Sequence, residues 1–406
     1  MPFSLSPLPS SLPFTFVFLR ALRGSLFCIL HFAFLHFAFF ILHSRILPAV
    51  AAPTQLESLI QRAAAQAGFD LSGIAPVRDL PELDFFSEWL AQGRAGEMAY
   101  LEARAADGRL KRASLASVAP WARSVVVCAL NYNTSAPYST ESTDRSRGWI
   151  SRYAFSGRDY HDAVMSRLEQ VEAALKLAHP EAQTRRYVDT GPVLERVYAK
   201  YAGIGWIGKN TCILNERLGS WLFLGVILTS LPLAPGLPPP DRCGTCTRCL
   251  DACPTHAFPA PYQLDASRCI SYLTIEKRGA IPEALRQGMG RHLFGCDICQ
   301  DVCPWNERIS RPAPVTAAPE LQPRADLVDP PLDALADLTL DDFRRLFRGS
   351  AIRRAKYSGL RRNVAVAMGN SGNPAFLSQL EQLASDPDPV VAEHARWALA
   401  RLRLSS

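Results

Sequence analysis

Two cysteine runs constrain this chain more than any other feature. The first is Cys243-x2-Cys246-x2-Cys249-x3-Cys253-Pro254, and the second is Cys296-x2-Cys299-x3-Cys303-Pro304. The first has the bacterial double-cluster spacing, in which three close thiolates wrap one four-iron cube and a fourth reaches across to its neighbour. On that logic Cys243, Cys246, Cys249 and the crossover Cys303 hold one [4Fe–4S] cluster. Cys253, Cys296 and Cys299 give the second cluster three ligands, and Cys269, the one cysteine left in this stretch, completes it. Zinc is the competing occupant of CxxC pairs, but it takes ligands in fours without a crossover and has no use for a repeated x3-Cys-Pro ending. The module reads as a short electron wire.

Eight of the 11 cysteines fall between 243 and 303 of a 406-residue chain. A secreted disulfide framework is small and cysteine-dense throughout, so this clustering points to redox chemistry in a reducing compartment. Cys28, Cys128 and Cys212 sit in apolar surroundings and are read as small buried hydrophobes or bystanders. A bare two-cluster carrier needs far fewer residues, so the remainder is expected to hold a reaction site. The net charge of +6 suits an anionic partner without requiring one.

Residues 1–52 do not match the rest. Leu26 to Leu42 is an apolar run broken by His31 and His36, with Arg20 and Arg23 before it and Ala49-Val50-Ala51-Ala52 after it. That pattern fits a signal peptide or short anchor. The preferred reading is an extension from a mis-called start, with the protein proper beginning near Thr54. The two arginines are not adjacent, so a twin-arginine signal is missing.

From 53 to 230, helical and strand-like segments alternate. Leu56 to Ala67 and Asp159 to Ala178 have helical periodicity, while Ser124 to Leu130 and Trp221 to Thr229 read as buried strands. The expected fold is mixed, α+β or α/β, around a central sheet. A Pro-rich linker at 231–240 opens the cysteine module, which runs to 309. The final part, 310–406, becomes helical over Val364 to Met368, Phe376 to Ala384 and Val390 to Leu402, and one such helix pair is HEAT-like.

The densest group of polar and glycine residues lies before the linker, from Tyr187 through Asp189-Thr190-Gly191-Pro192 to Arg196, and then from Gly203 through Trp206-Ile207-Gly208-Lys209-Asn210. Asp189 follows an apolar step and precedes a Gly-Pro turn. This places a carboxylate at a strand end facing a pocket, where burial would make it a general acid. The competing role is a helix N-cap. The GxGxxG at 203–208 lacks a clear preceding strand and a following acid, so a nicotinamide cofactor is rejected, and the glycines are expected to admit a large flat ligand.

These stretches resemble the epoxyqueuosine reductase family. The matching segments are Met98-Ala99-Tyr100-Leu101, Ala129-Leu130-Asn131-Tyr132, Arg152-Tyr153, Gly157-Arg158-Asp159-Tyr160-His161, the Asp189 segment, GWIGKN, Arg268 to Glu276 and both cysteine runs. The resemblance implies a cobalamin held in a nitroreductase-like domain over 53–230, Asp189 as proton donor, and a C-terminal segment that helps hold tRNA. It also implies cobalamin contacts from Arg112, Arg152, Asn210, Ser271 and Asp297. The family's Asp-Pro-Arg stretch reads Arg109-Leu110-Lys111-Arg112-Ala113-Ser114 here, a departure that bears on Arg112. The implied reaction reduces epoxyqueuosine to queuosine in the tRNA anticodon loop, with electrons from a flavodoxin or ferredoxin, by a cytoplasmic monomer without a membrane anchor.

Between Arg344 and Arg362 lie eight basic residues and no acidic one, with Tyr357 interleaved, which reads as a phosphate-contacting face. Two rivals stand beside this reading: a cobalamin-dependent reductive dehalogenase, and an electron-carrier subunit without catalysis. The basic segment and GWIGKN argue against the first, the large mixed domain and Asp189 against the second.

Overall fold

A computed structural model describes residues 54–307 and 312–405. The apolar segment at 1–52, with its competing readings, and Cys28 lie outside the described residues.

The chain starts its first helix, α1 (Gln55–Gln66), on a reciprocal cap. The Thr54 hydroxyl accepts from Glu57 N, and the Glu57 carboxylate accepts from Thr54 N at 2.8 Å. Four strands form one antiparallel sheet: β1 (Leu71–Pro76), β2 (Ser124–Asn131), β3 (Thr184–Tyr187) and β4 (Leu222–Thr229), in the spatial order β1, β2, β4, β3. Both faces are covered, so every residue of β2 is buried. Alternate side chains then feed two separate cores. Val126, Cys128 and Leu130 pack under α1 and under α2 (Tyr160–Ala178), whereas Val125, Val127 and Ala129 face α3 (Glu195–Tyr201). In α2 the residues Val164, Leu168, Val171 and Leu175 repeat at helical spacing, each wholly buried, and each contributes about 1.5–3 kcal/mol relative to exposure.

The Pro-rich segment at 231–240 is tied down rather than free. Gly236 N donates to Ile74 O at 2.7 Å, Leu233 N to Ser124 Oγ, and Ala234 N to Glu57 Oε1. A third core joins Trp149, Phe155 and Phe294 to the C-terminal helices α4 (Lys356–Ser371), α5 (Leu377–Ala384) and α6 (Pro389–Ser405). Two buried side chains of α4 stitch it to the helix Ile270–Ile275 beside Cys269. Arg362 donates to the carbonyls of Leu273, Lys277 and Gly279, and Asn363 Nδ2 donates to Thr274 O and Leu293 O. Buried donors need such partners, since an unmade hydrogen bond costs about 1–3 kcal/mol. Among the described residues no helix is long and apolar enough to cross a membrane.

Candidate active site and cluster module

The cysteines gather into two groups. Cys243, Cys246, Cys249 and Cys303 line one cavity of about 220 Å³, together with Lys209 and Trp305. Burial, with Cys243 and Cys246 beside it, pushes the Cys249 thiol up to about 11, and burial pushes Cys303 up to about 12. The second group is Cys253, Cys269, Cys296 and Cys299. Cys269 feels Cys253, Cys296 feels both, and Cys299 feels Cys296 and Cys269. Thiols gathered side by side resist ionising together, and a cationic iron core relieves that repulsion, so this donor set fits clusters. Among the described residues no three Cys, His, Asp or Glu side chains close on a single-ion centre. A four-iron cube gives each thiolate its own iron and needs no such convergence.

The GWIGKN stretch fastens the mixed domain to the first group. Strands Trp206–Ile207 and Ile213–Leu214 form a hairpin, and from its turn Lys209 Nζ donates to Gly244 O at 2.7 Å and Cys246 O at 2.9 Å. Trp206 meets Trp305 edge-on at 4.9 Å. Its glycines serve the hairpin rather than a ligand. A Cβ on Gly205 would fall 2.2 Å from Leu214 O, and one on Gly208 would fall 2.4 Å from Leu214 Cδ1.

Cys212 is not the bystander that its surroundings suggested. Its thiol hydrogen-bonds the Cys299 sulfur, and that bond, with Arg196 nearby, brings it down to about 7 against burial. The same bond and burial raise Cys299 instead. Sequence could have raised Cys212 only through its position two residues after Asn210, whose side chain spans Cys212 N and Cys299 O. Cys128 does sit in an apolar core, where burial pushes its thiol up to about 12.

Asp189 lies two residues past β3, with φ at +56°. Aspartate tolerates this left-handed conformation better than most residues, at a cost on the order of 1 kcal/mol. Buried Val188 anchors the turn while Asp189 stays exposed, and Tyr160 Oη donates to Asp189 Oδ2 at 2.9 Å. The N-cap of α3 is Leu194 and receives no side-chain bond, so Asp189 has no capping role. Tyr160 lies flat on Phe223 at 4.3 Å. Burial and the Asp189 charge push the Tyr160 phenol far up, so it stays a donor. Burial alone would lower His161, but pairing with Asp159 outweighs it and raises the ring.

The expected cofactor contacts divide. Arg112 stands at this site: it donates to Val193 O at 3.2 Å and faces the Tyr100 ring at 6.0 Å. Arg152 is buried, its two terminal nitrogens spent on Thr134, Ala136 O and Pro137 O. Asp297 is buried as well, accepting from Trp149 Nε1, Ser151 Oγ and Arg152 N. Both side chains are committed to bonds within the chain. Asn210 holds the Cys212 and Cys299 backbones, and Ser271 donates to the Cys269 thiol.

Arg196 was not singled out by the sequence. Its side chain is exposed, with Nη1 donating to Thr211 O at 3.1 Å, and its charge is felt together with Cys212, Asp189, Tyr132 and Cys299.

The basic run also divides. Arg362 is buried, Arg361 pairs with Asp386, and Tyr357 is turned to the core, its Oη on Leu338 O. Arg344 and Arg345 pair with Asp341 and Asp342. Arg348, Arg353 and Lys356 are exposed and outside the ion pairs of the described residues. Arg354 pairs with Glu276, faces Tyr100 at 5.8 Å and feels Asp189. A C-terminal cation thus reaches the acid's rim.

Residues 112–190 match the family model described as epoxyqueuosine reductase QueG, DUF1730, and residues 242–306 match a 4Fe-4S double cluster binding domain. The epoxyqueuosine reductase of Xanthomonas campestris is 40% identical over 86% of this chain and 97% of its own length. The chain belongs to the epoxyqueuosine reductase family. The Escherichia coli epoxyqueuosine reductase is 38% identical over 86% of this chain and 89% of its own. A crystal structure of an epoxyqueuosine reductase with an epoxyqueuosine-modified tRNA-Tyr stem loop superposes with a TM-score of 0.75 at 32% identity, covering 86% of this chain and 90% of that one. The epoxyqueuosine reductase from Streptococcus thermophilus gives 0.75 at 27% identity over the same shares. The family and a mixed α and β fold with a double-cluster segment are therefore established.

Proposed function

We propose that this chain reduces epoxyqueuosine to queuosine in tRNA, with two [4Fe–4S] clusters feeding a cobalamin beside Asp189. One observation carries the reading: the single Arg196 guanidinium acts on the Asp189 carboxylate and on the thiols of Cys212 and Cys299 alike. A proton source and an electron source then lie within electrostatic reach of one side chain. The relative solved with an epoxyqueuosine-modified stem loop supports the substrate.

Cys243, Cys246, Cys249 and Cys303 hold the first cluster; Cys253, Cys269, Cys296 and Cys299 hold the second. Arg112 and Arg196 would hold the cobalamin, with Asn210 and Ser271 fixing the thiols on the cluster side. When bound, cobalamin supplies low-valent cobalt as the electron source for the epoxide. The chain's own part is dryness, position and protons. Tyr160 orients the Asp189 carboxyl, and Asp189 protonates the epoxide oxygen as its bond to carbon opens. A Bacillus subtilis epoxyqueuosine reductase, solved with an aspartate catalytic loop swung out of its active site, supports an acid on a loop such as the one between β3 and α3. Arg348, Arg353, Arg354 and Lys356 receive tRNA phosphates, and a flipped loop base enters between them and Tyr100. The mixed domain is nitroreductase-like, the paired helices α5 and α6 form a HEAT-like unit, and the enzyme works as a cytoplasmic monomer with a flavodoxin or ferredoxin donor.

The test is anaerobic reconstitution followed by elemental analysis and an assay on epoxyqueuosine-containing tRNA. About eight iron and one cobalt per chain, with conversion to queuosine, are expected. Zinc in place of iron, or loaded protein inert on that tRNA, overturns the reading.

A further inference from the structure

Glu195 opens α3, six residues beyond Asp189. Its Oε1 is sealed from solvent and has no hydrogen-bond partner. An unpartnered buried oxygen is costly, and residues that keep one are often kept for chemistry. Three charged groups act on it: Asp189, Arg112 and Arg196. Burial and the Asp189 charge push the Glu195 carboxyl up to about 7, while its own helix amide and the two arginines pull the other way. Two carboxyls in one site resist ionising together, so the pair gives up its protons in separate steps.

The reaction proposed above needs two acids. Turning an epoxide into a carbon–carbon double bond breaks two C–O bonds and releases one water. The balance is two electrons in, from the reductant that already drives the reaction, and two protons in, both leaving on the oxygen. The first proton opens the ring to a hydroxyl; the second carries that hydroxyl away as water while the double bond forms. Asp189 brings one proton and is then a carboxylate.

We propose that Glu195 is the second acid of this site and reloads Asp189 between the two protonations. This rests on the function proposed above. The proton passes from the Glu195 carboxyl to the Asp189 carboxylate, directly or through one water. Arg112 and Arg196 hold the resulting Glu195 carboxylate until solvent returns a proton. The neighbouring donors suit the task less well. Tyr160 keeps its proton because burial and Asp189 hold its phenol far up. His161 would strand the Asp159 carboxylate by releasing its own.

The test uses the cluster- and cobalamin-loaded enzyme and an epoxyqueuosine-bearing stem loop. Wild-type kcat should fall as pH rises through about 7, since the acid must start protonated. Glu195→Gln should lower kcat roughly a hundredfold, flatten that fall, and leave KM, iron and cobalt unchanged. Glu195→Asp should recover part of the rate and the pH dependence, which a purely structural role does not predict. Infrared difference spectra across the same pH range should show a protonated-carboxyl band in wild type that Glu195→Gln lacks. A Glu195→Gln enzyme with unchanged kcat, or with lower kcat on an unchanged pH profile, overturns the proposal. Loaded wild-type enzyme inert on the stem loop removes the underlying function and this step with it; an active wild type separates the two.

Discussion

The Tyr160 phenol donates to Asp189 Oδ2 at 2.9 Å, from a ring stacked within 3° of parallel on Phe223. The stack fixes the ring, and the ring fixes an acid that otherwise stands on an exposed turn. Asp189→Asn should therefore lower turnover by about a hundredfold to ten-thousandfold with clusters and cobalamin still bound. Tyr160→Phe should cost roughly tenfold or more, because a hydrogen bond to a charged group is worth about 1.5–3 kcal/mol. Single-turnover assays on modified tRNA, beside iron and cobalt counts, check both; equal turnover in wild type and Asp189→Asn removes Asp189 from its role.

Cys269 and Cys212 both sit among the second group of thiols, yet only Cys269 is assigned as a ligand. Cys269→Ser should drop iron from about eight to about four per chain, whereas Cys212→Ser should keep all of it. Iron analysis with electron paramagnetic resonance of the reduced protein reads the difference. The reverse pattern would reassign the ligand set.

Arg348, Arg353 and Lys356 are exposed cations of the basic run that stand outside the ion pairs of the described residues. Changing each to Ala should weaken tRNA binding and reduce the slope of log affinity against log salt by about one for every phosphate no longer neutralised. Arg362→Lys should instead lower stability, because its partners are buried carbonyls. Binding isotherms at several salt concentrations, with thermal melts alongside, separate the two effects.

His394 is wholly buried, its Nε2 accepting from Ile281 N at 3.0 Å and its Nδ1 bonded to Val390 O at 2.7 Å. Burial pulls the ring down from 6.5 to about 4. The folded value lies below the unfolded one, so the stabilisation is complete above about pH 6.5 and is lost as pH falls toward 4. The loss amounts to about 3 kcal/mol at most. Wild-type melting temperature should therefore drop more steeply than that of His394→Gln between pH 8 and pH 5.5. Parallel pH profiles would remove His394 as the cause.

Much of this was written locally. The x2 and x3 spacings of Cys243 to Cys253 work within a few residues of chain. So do the helical repeat of Val164, Leu168, Val171 and Leu175 and the alternation of Val125 to Leu130. The helix expected at Val364 to Met368 instead runs from Lys356 to Ser371, because its polar members Arg362 and Asn363 are buried on distant carbonyls and break the apolar pattern. The basic run misled for the same reason: charge shows in a sequence, but its partners do not.

The sequence by itself determined which cysteines stand at cluster spacing and where the main helices and strands lie, since both depend on neighbours along the chain. Tertiary structure alone decided that Cys212 meets Cys299, that Arg354 reaches the rim of Asp189, that Arg152 and Asp297 turn inward, and that Glu195 is sealed beside a second acid. Charge and hydrogen bonding act through space over a few ångströms, and only the fold brings residues far apart in sequence within that distance.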